Sequence, residues 1–85
     1  MKSFQYIISD EEGVHARPAG LLVKEARQFK SIITIYSGTK KASLTKLMAL
    51  MGMGIRKGDN VTVEAEGEDE AEAASFLEDF FKKNL

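Results

Sequence analysis

The stretch Gly13-Val14-His15-Ala16-Arg17-Pro18-Ala19-Gly20 marks a change of hydrophobic period, and it holds the only histidine and the only proline of the chain. Before it, over Ser3 to Ser9, apolar and polar side chains alternate, which predicts a half-buried strand. After it, apolar side chains recur at helical spacing, which predicts a helix from Ala16 to about Phe29. Its apolar stripe comprises Ala19, Leu22, Val23, Ala26 and Phe29, and the residues largely off the stripe are Lys24, Glu25, Arg27 and Gln28. Proline suits the first turn of a helix because that position needs no N–H donor. The chain therefore passes from a strand, through a turn over Asp10-Glu11-Glu12-Gly13, to a helix at His15.

The rest of the chain alternates between the same two patterns. β-Branched residues over Ile32 to Tyr36 predict a second strand, and a turn at 37–40 leads to a short return strand from Lys41 to Leu44. Residues 61–66 alternate again and predict a fourth strand. The last helix is expected from about Asp69 to Asn84, with acidic residues in its first turn and lysines in its last. Its apolar stripe comprises Ala73, Ala74, Leu77, either Phe80 or Phe81, and Leu85.

A short apolar helix is expected over Lys46 to Met51. Thr45 or Ser43 is expected to cap it, and glycines at 52 and 54 end it. Leu50, together with Leu47 or Met51, is expected to face the sheet. A helix this short cannot bury every side, so some of Leu47, Met48 and Met51 should remain exposed as an adaptable contact surface.

The predicted order of elements is β-α-β-β-α-β-α. Strands with one apolar face and amphipathic helices bury themselves when all helices cover one face of an antiparallel sheet. We therefore expect an α+β fold with a four-stranded antiparallel sheet and three helices on one face. Eighty-five residues suffice for one domain spanning 1–85 and leave no room for a second core.

Composition excludes several classes of protein. Twelve basic and thirteen acidic residues give a net charge of −1, so nucleic acid is not an expected partner. The absence of cysteine and the single histidine argue against disulfides, metal sites and acyl-transfer triads. We expect no cofactor. No segment approaches transmembrane length, so membrane insertion is not expected and the cytoplasm is the expected location.

His15 is the candidate reactive group, because it lies one residue before the expected start of a helix. The first N–H groups of a helix lack intrahelical partners and carry the positive end of its dipole, which favours a bound anion. Arg17 adds a planar guanidinium suited to phosphate oxygens. A single histidine is often structural, and a first-turn arginine is commonly a solubilising charge. Arg17 opposes the helix dipole, however, which favours a role other than helix stability.

The same residues carry a family resemblance. Gly13-Val14-His15-Ala16-Arg17-Pro18-Ala19 resembles the active-site signature of the HPr family, the histidine-containing phosphocarriers of the bacterial sugar phosphotransferase system, and residues 46–54 and the chain length also resemble that family. The resemblance implies an open-faced β-sandwich. It implies that His15 accepts a phosphoryl group at Nδ1 from phosphorylated enzyme I and passes it to IIA domains. Ala16, Arg17 and Pro18 would contact the phosphate.

The resemblance also places the contact surface beside His15, where enzyme I and the IIA domains would dock. The implied interface comprises Gly20, Lys24, Leu47, Met48, Met51 and Gly54. Lys46 and Arg56 would join Lys24 in a polar rim. A carrier that must expose this surface is expected to be a monomer, and it is not expected to be an enzyme on its own, because its partners complete the chemistry.

One position departs from the family pattern. Many Gram-positive relatives carry a regulatory serine at the start of the second helix, which an ATP-dependent kinase phosphorylates, and the corresponding residue here is Lys46. Thr45 and Ser43 are neighbours and not equivalents. We therefore expect this chain to escape that kinase. The main alternative function is an HPr-like regulatory binding protein outside sugar uptake, although a purely regulatory form would not need His15 and Arg17 together.

Overall fold

The computed structural model describes residues 1–85 and contains four strands and three helices. Their bounds are β1 Lys2–Ile7, α1 Ala16–Ala26, β2 Ile32–Ser37, β3 Lys40–Ser43, α2 Leu47–Met51, β4 Asn60–Glu66 and α3 Glu70–Asn84. The predicted order of elements is therefore confirmed. None of the helices combines the length and the apolar character that a membrane crossing would need.

The sheet is antiparallel throughout, with the strand order β1-β4-β2-β3. In its centre, Val63 of β4 lies between Phe4 of β1 and Ile35 of β2, and all three side chains are buried. The alternate positions, such as Gln5 and Thr62, face away from the core and remain partly or fully accessible. The period-two pattern thus predicted correctly which face of the sheet is apolar.

The three helices cover that apolar face and complete one core of 21 buried residues. Phe81 of α3 is fully buried, and its ring packs edge-on against Phe4 and Tyr6 with centroid distances of 5.5 and 5.7 Å. Of the two phenylalanines expected at this position, Phe81 therefore enters the core, and Phe80 is only half-buried. The α+β fold with helices on one side of a four-stranded antiparallel sheet is confirmed.

Two element ends differ from the prediction by more than one residue. Helix α1 ends at Ala26 rather than Phe29, because the N–H groups of Gln28 and Phe29 donate to carbonyls three residues back and the chain turns there. Phe29 leaves the helix and packs its ring 5.7 Å from that of Phe76. Strand β1 stops at Ile7, since the N–H of Ile8 donates to the Asp59 carbonyl in a loop instead of to the ladder.

The predicted cap of α2 is wrong. The N-cap residue is Lys46, and no side chain caps the helix. Ser43 Oγ instead accepts the N–H of Thr45 at 3.2 Å and pairs with Thr45 Oγ1 at 2.8 Å. Short hydroxyl side chains readily bond to nearby backbone groups, and here that local turn uses both candidate caps before the helix begins.

Asp69, the residue before α3, holds together two distant parts of the chain. Its carboxylate accepts the N–H of Lys30 at 2.8 Å, the N–H of Ser31 at 2.9 Å and the Ser31 hydroxyl. These bonds, that of the Ser31 hydroxyl foremost, lower the pKa of Asp69 below its usual value. The carboxylate thereby fixes the connection from α1 to β2 against the start of α3.

We expect Asp69→Asn to lower the free energy of unfolding at neutral pH, because an amide nitrogen would face one of these three donors. A lowered folded-state pKa stabilises the fold above the ordinary carboxyl pKa, and this stabilisation is lost as the pH falls through the lowered value. The difference between the wild-type chain and the variant should therefore shrink in acid. Urea unfolding across pH 2–7 measures it, with Asp79→Asn as the matched exposed control. A difference that stays constant down to pH 2 would contradict this role.

Candidate functional site

The turn that presents His15 is fixed against the loop after α2. Gly13 has a φ of +66°, and a Cβ there would overlap the carbonyl oxygen of Ile55, so only glycine fits this approach. The N–H of Val14 donates to the same Ile55 carbonyl at 3.1 Å, and the Val14 side chain is buried. The residue that follows is thereby held at the surface, at the start of α1.

His15 is the N-cap residue of α1 and has an extended backbone. Its carbonyl accepts the N–H of Ala19 at 3.0 Å, while its ring makes no capping hydrogen bond and its side chain is 32% exposed. The ring is therefore available to solvent, and the prediction that it lies at an accessible turn-to-helix junction is confirmed.

Backbone donors without partners lie directly after the ring. The N–H groups of His15, Ala16 and Arg17 donate to no other group of the chain. Pro18 has no N–H, and its side chain is buried. Of the three predicted phosphate contacts, it is therefore the one that cannot donate a hydrogen bond. The unpaired donors carry the positive end of the α1 dipole, which favours an anion beside the ring.

An open depression of about 400 Å³ surrounds His15. Its lining comprises Asp10, Glu12, His15, Arg17, Pro18, Leu21 and Asn84. The guanidinium of Arg17 is exposed and forms no ion pair within the chain, although two carboxylates line the same depression. Arg17 is thus free to bind an anion that arrives from outside.

Asp10 supplies the carboxylate that lies within 4 Å of a ring nitrogen of His15, and the sequence predicts it only as part of a turn. Its Oδ1 lies 3.8 Å from Nε2 of His15. Leu21, which is 46% exposed, was also missed, because it lies outside the apolar stripe of α1. Both residues reach the site through the fold and not through a sequence motif.

The predicted apolar contact surface lies on α2. Leu50 is fully buried, as expected, whereas Met48 is 79% exposed and Leu47 and Met51 are half-buried beside it. We call Leu47, Met48 and Met51 the α2 patch. The chain runs from the end of α2 to Ile55, whose carbonyl accepts the N–H of Val14 in the turn before His15, so the C-terminal end of α2 lies toward the start of α1.

Arg27 holds the other end of α2. Its Nε and Nη2 donate to the Thr45 carbonyl at 3.1 and 2.9 Å, which joins the end of α1 to the residues just before α2. Arg27 thus links the residues before α2 to the end of α1, and Ile55 links the loop after α2 to the turn before α1. The sequence shows only that Arg27 lies outside the apolar stripe of α1. It does not predict this hydrogen bond, because the acceptor is 18 residues away.

The remaining predicted interface residues leave room for a partner. Gly20 and Lys24 lie on the outer side of α1, and a Cβ at Gly20 would meet nothing within 4 Å. Gly54 has a φ of +64° and equally open surroundings. Lys46 and Arg56, expected in the polar rim, are exposed. No part of this chain covers these positions.

Comparison with known proteins matches nearly the whole chain. A family model described as the PTS HPr component phosphorylation site matches residues 2–83. The phosphocarrier protein HPr of Mycoplasma genitalium is 40% identical over 85 residues, which cover 99% of this chain and 97% of that protein.

Solved structures show the same fold. The histidine-containing phosphocarrier protein of Mycoplasma superposes with a TM-score of 0.94 at 38% identity, over 96% of this chain and 93% of that one. An HPr dimer from Thermoanaerobacter tengcongensis superposes with a TM-score of 0.78 at 37% identity, over 98% of this chain and 95% of that one.

Proposed function

The chain belongs to the HPr family, the phosphocarriers of the phosphotransferase system, and on that premise we propose that His15 is the residue that carries the phosphoryl group. One observation carries the proposal: an accessible imidazole stands beside unpaired N–H groups and an unpaired guanidinium. This combination offers a nucleophile together with an anion site. The site is also an open depression, which suits a phosphoryl group that must leave again.

The proposed reaction needs no base from the protein. A large share of free imidazole is unprotonated at neutral pH and is itself nucleophilic. Attack through Nδ1 on phosphorus gives a phosphoramidate, which keeps a high transfer potential. The N–H groups of Ala16 and Arg17 and the Arg17 guanidinium are proposed to bind the phosphoryl oxygens. Each exposed contact contributes roughly 0.3–1 kcal/mol, so the phosphoryl group is held without being trapped.

The proposed partners are phosphorylated enzyme I as donor and IIA domains as acceptors. Both would dock on the α2 patch with Gly20, Lys24 and Gly54 around it, because α2 packs beside α1, the helix that begins after His15, and this surface is uncovered. Flexible methionines suit a surface that serves several partners in turn. The open depression supports a carrier whose partners complete the reaction, rather than an enzyme on its own.

We place the exchange in the cytoplasm, and the carrier acts as a monomer in this proposal, because self-association through α2 would cover the docking surface. Dimerisation, as in the Thermoanaerobacter tengcongensis structure, is the alternative. Size-exclusion chromatography with light scattering at working concentration decides between them.

The test of the proposal is to incubate the chain with phosphoenolpyruvate and enzyme I. We expect one acid-labile, base-stable phosphate per chain, mapped to His15 by mass spectrometry. His15→Ala should abolish the label while leaving the thermal unfolding curve close to that of the wild-type chain. A label that persists in His15→Ala, or that survives acid, would refute His15 as the carrier.

The substitution of the regulatory serine by Lys46 leads to a second expected result. Lys46 has no hydroxyl, and the hydroxyls of Ser43 and Thr45 are bonded to each other. We propose that the ATP-dependent kinase of Gram-positive relatives does not act here. Incubation with that kinase and ATP should give no acid-stable phosphoprotein, whereas Lys46→Ser should restore one. An acid-stable phosphate on the unaltered chain would refute this.

A further inference from the structure

We infer that Asp10 is a positioning residue for the reaction at His15: its carboxylate keeps the imidazole proton on Nε2 and so leaves Nδ1 as the nucleophile. This inference rests on the proposed function of His15. It concerns a residue that the signature around His15 does not include and that sequence analysis assigned only to a turn.

The position of Asp10 is set by three hydrogen bonds. Its N–H donates to the Leu85 carbonyl at 2.9 Å, its carbonyl accepts the N–H of Gly13 at 3.0 Å, and its Oδ1 accepts the N–H of Glu12 at 2.9 Å. Both backbone and side chain are therefore fixed. The carboxylate is held beside the ring by the fold and does not depend on the ring for its place.

The geometry selects one nitrogen. Oδ1 of Asp10 lies 3.8 Å from Nε2 of His15, a distance at which charges interact although it exceeds a direct hydrogen bond. A neutral imidazole carries its proton on one nitrogen and a lone pair on the other. A carboxylate beside Nε2 favours the proton there and disfavours a lone pair. The lone pair consequently lies on Nδ1.

Transfer then balances without loss of a proton. The Nδ1 lone pair forms the new bond to phosphorus while the bond from phosphorus to the donor breaks and its electron pair stays with the donor. The ring keeps its Nε2 proton and gains a positive charge, which the Asp10 carboxylate offsets. When the phosphoryl group leaves for an acceptor, that electron pair returns to Nδ1 and the ring is neutral again.

The other charged groups of the depression do not replace Asp10 in this role. Glu12 lines the same depression, but no ion pair joins it to the ring. Arg17 is a cation and would disfavour a second positive charge nearby. Glu11 pairs with Lys57 at 2.7 Å and does not line the depression. Glu11→Gln therefore removes the same charge one residue away and is the matched control for Asp10→Asn.

The first measurement needs no phosphorylation. Nitrogen-15 chemical shifts of the His15 ring, recorded at a pH where the ring is neutral, report which nitrogen carries the proton. Asp10→Asn keeps an acceptor for the Glu12 N–H, so the turn is retained. We expect it to raise the ratio of the Nδ1–H to the Nε2–H form by roughly two- to fivefold, as for a partly exposed charge pair. Glu11→Gln should leave the ratio unchanged.

The second measurement is the equilibrium between phosphorylated enzyme I and the carrier. Asp10→Asn should lower the phosphorylated fraction of the carrier through a roughly two- to fivefold smaller equilibrium constant, and Glu11→Gln should not. An unchanged proton position in Asp10→Asn, or an equal effect of Glu11→Gln, overturns the role of Asp10. Failure of enzyme I to label His15 in the unaltered chain refutes the proposed function instead, and the ring shifts still decide where the proton lies.

Discussion

Replacing Arg17 by alanine should slow phosphoryl transfer from enzyme I to His15 by about two orders of magnitude and leave the fold intact. In the free chain this contact is screened, but docked enzyme I would cover the depression, and removal of one preorganised donor from a water-excluded site typically costs a factor of about 10²–10³ in rate. The guanidinium of Arg17 is exposed, forms no ion pair and lines the depression around His15, so it has no structural partner to lose. Rapid-quench single-turnover measurements with phosphorylated enzyme I report the transfer rate directly.

Two further variants separate the geometry of Arg17 from its charge. Arg17→Lys keeps the charge and loses the planar fork, so its rate should lie between those of the wild-type chain and Arg17→Ala. Lys82→Ala removes one positive charge from α3, away from the depression, and should change little. Because a cation in the first turn opposes the helix dipole, Arg17→Ala should not lower the free energy of unfolding. Equal rates in Arg17→Ala and Lys82→Ala would contradict the assignment.

Asp10 and Arg17 place opposite charges around one ring, and this arrangement suits reversible transfer. In the proposed reaction, Arg17 favours the arriving phosphoryl group, and Asp10 favours the charged ring that carries it. Both side chains are reached by solvent, so each interaction is screened. On this proposal the phosphorylated carrier is stabilised enough to form, and its free energy stays close to that of the phosphorylated partners.

The fold was predictable because local pattern and tertiary packing agree. Alternation at Phe4 and Val63, and helical spacing at Leu22 and Leu77, each identify side chains that the structure buries completely or nearly so. The position of His15 was predictable for a similar reason, since the strand before it and the helix after it are both strongly patterned. Where the period changes, the chain must turn.

The wrong predictions, the cap of α2 and the end of α1, concern side chains that could bond or pack with more than one partner. Ser43 and Thr45 have the right chemistry to cap α2, but they bond to each other first. Phe29 has helical spacing, yet its ring packs on Phe76 of α3, a contact between residues 47 positions apart in the sequence. Propensity describes what a residue does locally, and these outcomes depended on neighbours that only the fold supplies.

Dependence on distant neighbours also explains why the sequence did not predict two residues of the site region. Asp10 reads as a turn residue, and its place beside His15 depends on the Leu85 carbonyl at the far end of the chain. Arg27 reads as a surface charge, and its role depends on the Thr45 carbonyl. Every residue has a backbone carbonyl, so the sequence does not show which carbonyl accepts a given hydrogen bond. Residues that position a site through them can be found only from the structure.

Replacing Met48 by aspartate should raise the KM for both enzyme I and the IIA domains by about five- to thirtyfold, with little change in kcat. Truncation of a central interface residue commonly costs about 1–2 kcal/mol, and a carboxylate placed in an apolar contact adds a desolvation cost. Met48 is the most exposed large apolar side chain, at 79%, so the free energy of unfolding should stay within about 0.5 kcal/mol. Aspartate in the first turn of α2 also agrees with its dipole.

Ile32→Asp is the control for this variant, because Ile32 is 72% exposed and pairs with Glu66 at the end of the sheet opposite the strand end that leads to His15. It introduces the same charge at an exposed apolar position and should leave both KM values unchanged, whatever its effect on stability. Met48→Leu keeps an apolar side chain and should retain most of the docking. Steady-state transfer assays with each partner, run beside thermal unfolding, separate docking from folding. Unchanged KM values in Met48→Asp would remove the α2 patch from the docking surface, because its other two members, Leu47 and Met51, are half-buried beside Met48.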